Sequence, residues 1–136
     1  MDQRTPLHDF TWTALRVVTG LLIFSRGSAK LFGWFGGFGE SGTADLMTRF
    51  GVAGVLETIG GVLLIVGLFT RHTAFVLSGM FAVAYFWQHA WGKNIWWWNN
   101  GGFSAMLLCF LFLFFAAWGA GPYSLDARRA GTDFKA

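Results

Sequence analysis

Glu57, Lys30 and Arg26 are ionisable residues set inside otherwise apolar stretches, and together they could bind or polarise a charged oxygen. A carboxylate in reach of a bound carbonyl can exchange protons with it. Cations beside it can stabilise developing negative charge. His89 adds a group that carries a proton near neutral pH or donates a hydrogen bond to a carbonyl. Four apolar runs hold these residues, at about 14–35, 51–70, 72–91 and 103–120. Each is close to the ~20 residues a helix needs to cross a bilayer core. A charge at that depth costs at least ~2.5–3.5 kcal/mol on insertion scales, so it is kept against a partner or at a working site.

Helical spacing groups these side chains. At ~100° per residue, Arg16, Gly20, Ile23, Gly27 and Lys30 share one face of the first run, and Arg26 borders it. Gly54, Glu57, Gly61 and Leu64 share a face of the second, with Gly60 beside it. Ser78, Ala82, Tyr85 and His89 share a face of the third. Small residues on such faces let another helix approach closely. The economical packing turns these stripes inward and leaves Leu, Val and Phe to lipid. At ~1.5 Å per residue, Glu57 lies ~9 Å into the second helix, level with Arg26 and Lys30 near the end of the first. His89 and Asn100 fall toward the same side. The spacing therefore predicts one polar cluster of Arg26, Lys30, Glu57 and His89, joined by Tyr85 and Asn100. A buried Glu57–Lys30 or Glu57–Arg26 pair would also serve as a plain helix lock, and residue type does not separate lock from site. Two cations facing one carboxylate favour a site that takes an anion or a polar ligand head.

The tryptophans also permit two readings. Trp34, Trp87, Trp91 and Trp96-Trp97-Trp98 fall near one predicted interface, where an aromatic belt is ordinary. Three in a row could instead wall a flat ring, which makes Trp87, Trp91 and Trp97 candidate ligand-binding residues with Arg26, Tyr85 and Asn100. Haem fits poorly. His72 and His89 stand 17 positions apart on one helix, ~25 Å along its axis, and cannot share an iron. Cys109 is the single cysteine, so no internal disulfide and no Cys/His metal cluster is expected.

The elements that must position these groups leave little chain over. Of 136 residues, 54% are hydrophobic and 12% charged, about half the charged share of a soluble domain. The reading is an all-α integral membrane four-helix bundle, one domain over 1–136. Thr11 or Thr13 is expected to cap the first helix. Gly33-Trp34-Phe35-Gly36-Gly37-Phe38-Gly39 ends it, and a short interfacial helix is expected within 40–50. Thr70-Arg71-His72 is expected as the turn between the second and third helices, and a polar tail from Asp126. No cleavable signal is expected at the start. Arg4, Arg16, Arg71, Arg128, Arg129 and Lys135 outnumber Arg49, Lys93 and Lys30 across the spans, placing both termini in the cytoplasm. The net charge of +3 is spread over loops and ends, so nucleic acid is not an expected partner.

In order and spacing these motifs resemble the DoxX family of small four-helix bacterial membrane proteins. The resemblance rests on Arg16-Val17-Val18-Thr19-Gly20, Gly27-Ser28-Ala29-Lys30-Leu31-Phe32-Gly33-Trp34 and Glu57-Thr58-Ile59-Gly60-Gly61 with Leu64, Gly67 and Arg71. It extends to Gly119-Ala120-Gly121-Pro122-Tyr123-Ser124-Leu125-Asp126. The resemblance implies a membrane component of quinone-linked electron transfer. Two positions depart from the family: Arg26 stands where His often precedes Gly27, and Phe103 follows Asn100-Gly101-Gly102 where a glutamate is frequent. The leading expectation is an inner-membrane oxidoreductase subunit. Glu57, Lys30 and His89 would be its catalytic groups, quinone its cofactor, and a protein partner its electron source. A scaffold or assembly factor and a small-solute or lipid transporter are the alternatives. The glycine stripes suit packing within a bundle and between protomers alike, so a homodimer is a further expectation.

Overall fold

The computed structural model describes residues 4–131, and every regular element in that stretch is helical. Helix α1 spans Pro6–Phe32. It starts at Pro6 because Thr5 is extended and its hydroxyl accepts from the His8 amide at 3.3 Å, while proline presets the first helical φ. Thr11 and Thr13 are therefore not caps. They lie within the helix, and their hydroxyls donate back to the carbonyls of His8 and Asp9. Gly33 ends α1 in the left-handed region at φ 71°. A 3-10 turn follows at Trp34–Gly36, and no helix forms over residues 40–48.

Helix α2 spans Arg49–Val66, capped by the Thr48 hydroxyl. It stops four residues short of the apolar run's end because Gly67 turns left-handed at φ 70°. The turn to the next helix is thus Gly67-Leu68-Phe69, not 70–72. Helix α3 begins at Thr70, runs to Ala84 and continues through a π turn at Tyr85–Ala90. A four-residue helix α4 follows at Trp97–Asn100, then α5 at Phe103–Trp118 and α6 at Leu125–Arg129. Asp126 accordingly sits in a helix rather than in a polar tail, and Lys135 lies outside the described residues.

The chain divides into two compact units. One takes the sequence through Thr70 together with the segment from Ala120 onward, and the other is Arg71–Gly119. In the first unit α1 and α2 pack antiparallel through reciprocal glycines. A Cβ added at Gly20 would lie 2.9 Å from the Gly61 carbonyl oxygen, and one at Gly61 would lie 2.8 Å from that of Gly20. One at Gly27 would lie 2.5 Å from the Thr58 amide nitrogen. Backbones this close are what small residues on both faces permit. In the second unit Phe81 stacks on Phe112 at 5.7 Å, and Ser78 donates to the Cys109 carbonyl at 2.8 Å.

Candidate functional site

The close approach of α1 and α2 builds the charged site. Gly54 leaves room for the Lys30 side chain, whose Cβ would lie 3.1 Å from a Cβ added there. Lys30 Nζ then donates to Glu57 Oε2 at 2.6 Å. Arg26 Nε lies 3.8 Å from the other oxygen, Glu57 Oε1. Lys30 is 8% exposed and Glu57 1%, whereas the Arg26 side chain is 49% exposed. One carboxylate thus holds a buried ammonium with one oxygen and faces a half-exposed guanidinium with the other. A short, desolvated, charge-assisted bond of this kind is strong only while both partners are present. The arrangement gives two cationic donors and one proton acceptor, with the Arg26 side reaching the protein surface.

Tyr85, His89 and Asn100 belong to the other unit and form a network of their own. The Asn100 amide nitrogen donates to Tyr85 Oη at 3.3 Å and to the Asn94 carbonyl at 2.9 Å. Its side-chain oxygen accepts from the Gly102 amide at 2.7 Å. Tyr85 Oη donates to the Ile95 carbonyl. Asn100 therefore fixes the loop between the π turn and α5. His89 Nδ1 meets the Asn100 carbonyl at 3.2 Å. A carbonyl only accepts, so Nδ1 carries the proton, and in the neutral ring Nε2 is left as the acceptor. The π turn that carries His89 is a distortion frequent at functional positions.

Trp87, Trp91 and Trp96–Trp98 lie in this second unit, whereas Trp34 belongs to the first. Trp96 stacks on Trp98 at 4.9 Å with 17° between planes, and Trp97 meets Trp98 edge-on at 4.8 Å. Trp87 and Trp91 are exposed. Among the described residues no group of three or more His, Cys, Asp or Glu side chains could hold a metal.

Two residues have structural partners that their place in the sequence did not reveal. Arg16 is 2% exposed and donates to three carbonyls: Leu64 at 3.0 Å, Tyr123 at 2.7 Å, and Ala120. It ties the end of α2 to the segment after Gly119, where carbonyls left over at a helix C-terminus need donors. Asp126 accepts from the Phe69 and Thr70 amides at 2.8 and 2.9 Å, capping the start of α3. Position on the inward face was the available signal for Arg16. Asp126 stood in the terminal motif, but nothing in its position pointed to the Phe69 and Thr70 amides.

Mostly helical over the described residues, with a buried ion pair between glycine-matched helices and exposed apolar side chains along them, the chain is of the small helical membrane class. The DoxX family profile matches residues 11–90. A protein of Haemophilus influenzae described as uncharacterized is 42% identical over 118 residues, covering 82% of this chain and 85% of the relative. The chain belongs to the DoxX family of membrane proteins. No solved structure matches it. The family match contains Arg26, Lys30, Glu57, Tyr85 and His89 but stops before Asn100 and the Trp96–Trp98 run.

Proposed function

We propose that this chain is a multi-pass subunit of a quinone-linked oxidoreductase system in the bacterial inner membrane, and that it binds a quinone or similar planar molecule at Lys30, Arg26 and Glu57. The observation that carries this reading is the buried Lys30–Glu57 pair with Arg26 3.8 Å away and half exposed. Lys30 and Arg26 donate to a ligand oxygen and stabilise negative charge on it. Glu57 holds Lys30 in place and accepts or returns a proton. His89, in the other unit, carries an Nε2 suited to proton transfer. A quinone supplies the redox chemistry, taking two electrons and two protons. The electrons come from a partner protein or a small reductant, since no flavin or nicotinamide motif is present in the sequence.

The membrane arrangement has its own support. Helix Arg49–Val66 is long and apolar enough to cross a bilayer by itself. Helix α3 and its π turn contribute 15 and 6 residues, 21 together, or about 30 Å. Helix α5 is apolar over 16 residues, and α1 is 27 residues long. Outward positions are apolar at helical spacing: Val52, Val55, Ile59 and Val62 on α2, and Phe103, Leu107 and Phe110 on α5. Apolar surface of that extent suits lipid rather than water. Four such helices form the bundle of this reading. Arg4, Arg71, Arg128 and Arg129 against Arg49 and Lys93 put both termini in the cytoplasm.

A second reading has a specific observation behind it. The Lys30–Glu57 bond sits where two glycine-faced helices are closest, which is where a helix lock belongs. The test is mass spectrometry of lipid-soluble molecules extracted from gently purified protein, beside a Lys30→Ala, Glu57→Gln double variant. A quinone retained by the parent and lost from a folded variant supports the site. No specific ligand in either moves the assignment to a scaffold.

A further inference from the structure

We propose that the loop joining α1 to α2 is a gate over the Lys30–Glu57 pair, and that Phe38 is the ring a planar ligand displaces to reach Lys30. The ligand half of this inference rests on the function proposed above. The gate itself stands on geometry within the first unit.

The loop is folded back onto the end of α1. The Ala44 amide donates to the Lys30 carbonyl at 2.7 Å, and the Phe38 amide donates to the Gly42 carbonyl at 2.9 Å. Gly37 allows that turn: its φ is 74°, and a Cβ there would lie 2.9 Å from the Gly42 oxygen. The result sets the Phe38 ring with its centroid 6.0 Å from Lys30 Nζ and 5.3 Å from the Phe50 ring. The Lys30 ammonium thus has a carboxylate as one neighbour and an aromatic ring as another.

A ring in that place does two things. Its face attracts the cation without offering a competing hydrogen bond, and it keeps water from the ammonium. It also occupies the position a planar ligand's ring would take if its oxygen accepted from Nζ. Phe50, on the first turn of α2, would remain as a wall for that ring. This assigns an aromatic wall of the ion-pair site to Phe38 and Phe50, from within the first unit. The loop can swing because Gly36 and Gly39 hold left-handed φ values in open space, a conformation only glycine leaves and regains cheaply.

The test is amine acylation of the purified chain, read by mass spectrometry at Lys30 with the exposed Lys93 as internal reference. Lys30 should acylate about five- to tenfold faster in Phe38→Ala than in the parent, the effect of removing a partly desolvated ring from a cation. Phe38→Trp, which keeps a ring, should stay slow, and Lys93 should not change. Equal Lys30 rates in the parent and Phe38→Ala overturn the gate. So does a faster Lys30 accompanied by faster alkylation of Cys109, which would mean general loosening of the fold. A fully ring-substituted benzoquinone, which cannot itself couple to amines, is then added to Phe38→Ala. Slower Lys30 acylation supports displacement by a planar ligand. An unchanged rate, with the Phe38 effect intact, overturns the quinone reading and leaves the gate standing.

Discussion

Replacing Lys30 and Glu57 singly and together separates a ligand site from a helix lock. Their bond is 2.6 Å long, and both side chains are buried. Removing either partner leaves an uncompensated buried charge, at a cost of about 3–5 kcal/mol. The two single variants should not cost the same. In Lys30→Met, Glu57 keeps Arg26, whose Nε is 3.8 Å from Oε1. In Glu57→Leu, Lys30 loses its carboxylate and Arg26 loses the same group, so this variant should be the less stable. The double variant Lys30→Met, Glu57→Leu fills the same space with apolar atoms. It should return to within about 1 kcal/mol of the parent or exceed it, because burying the pair was itself costly. The coupling between the two positions should then be about 5 kcal/mol or more. Equilibrium unfolding in mixed micelles, followed by far-ultraviolet circular dichroism, measures all four proteins. Additive effects, with the double variant as unstable as the sum of the singles, would refute the pair as the structure draws it. A double variant that is stable and still retains an extracted planar ligand would show that Lys30 and Glu57 do not hold that ligand.

Three further outcomes follow from other parts of the fold. Gly27→Leu should lower stability by about 1–3 kcal/mol or more, since even its Cβ meets the Thr58 amide nitrogen at 2.5 Å; parting α1 from α2 should also speed Lys30 acylation. Arg16→Met leaves the carbonyls of Leu64, Ala120 and Tyr123 without their donor, at roughly 1–3 kcal/mol for each that stays buried. Hydrogen exchange should then accelerate at the Asp126 amide, which bonds the Gly67 carbonyl at the end of α2, and unchanged exchange there would count against the tie. Thr70→Val should raise stability by about 0.5–2 kcal/mol, because the Thr70 hydroxyl is buried without a hydrogen-bond partner; a loss measured in the same unfolding assay would contradict this.

Much of the first unit was legible because it is built from periodicity. Gly20, Gly27, Gly54 and Gly61 declare a close contact between two helices, and the register they impose carries Lys30 to Glu57. The helix ends were less legible, since apolar runs and helices stop for different reasons. The second run continues through Leu68 and Phe69, but Gly67 reverses the chain, and the amides this exposes are met by Asp126 from 57 and 56 positions away. Arg16 was rightly placed on the inward face, but its partners were hidden for a related cause. Sequence alone treats an arginine near a helix start as a charge that orients the protein, whereas its partners are carbonyls that become available only after α2 ends and the segment after Gly119 returns. The predicted cluster draws its residues from both units. Depth along a helix placed His89 and Asn100 level with Glu57, but depth does not say which residues bond to one another, and within their own unit these two meet each other and the loop ahead of α5.

Arg26 is the residue that weighs most between lock and site. A lock needs one cation, and Lys30 supplies it at 2.6 Å. A second cation 3.8 Å away, with half its side chain at the surface, adds little to stability at that exposure. It does give the second carboxylate oxygen a cation that reaches the protein surface. Glu57 then stands between a buried donor and a half-exposed one, and a ligand oxygen arriving at Arg26 would leave the Lys30 bond in place. That division predicts a test by charge position. Arg26→Gln should leave unfolding within about 1 kcal/mol of the parent while weakening retention of an extracted ligand. If stability falls instead as far as it does in Lys30→Met, Arg26 is part of the lock and the case for a site on this face fails.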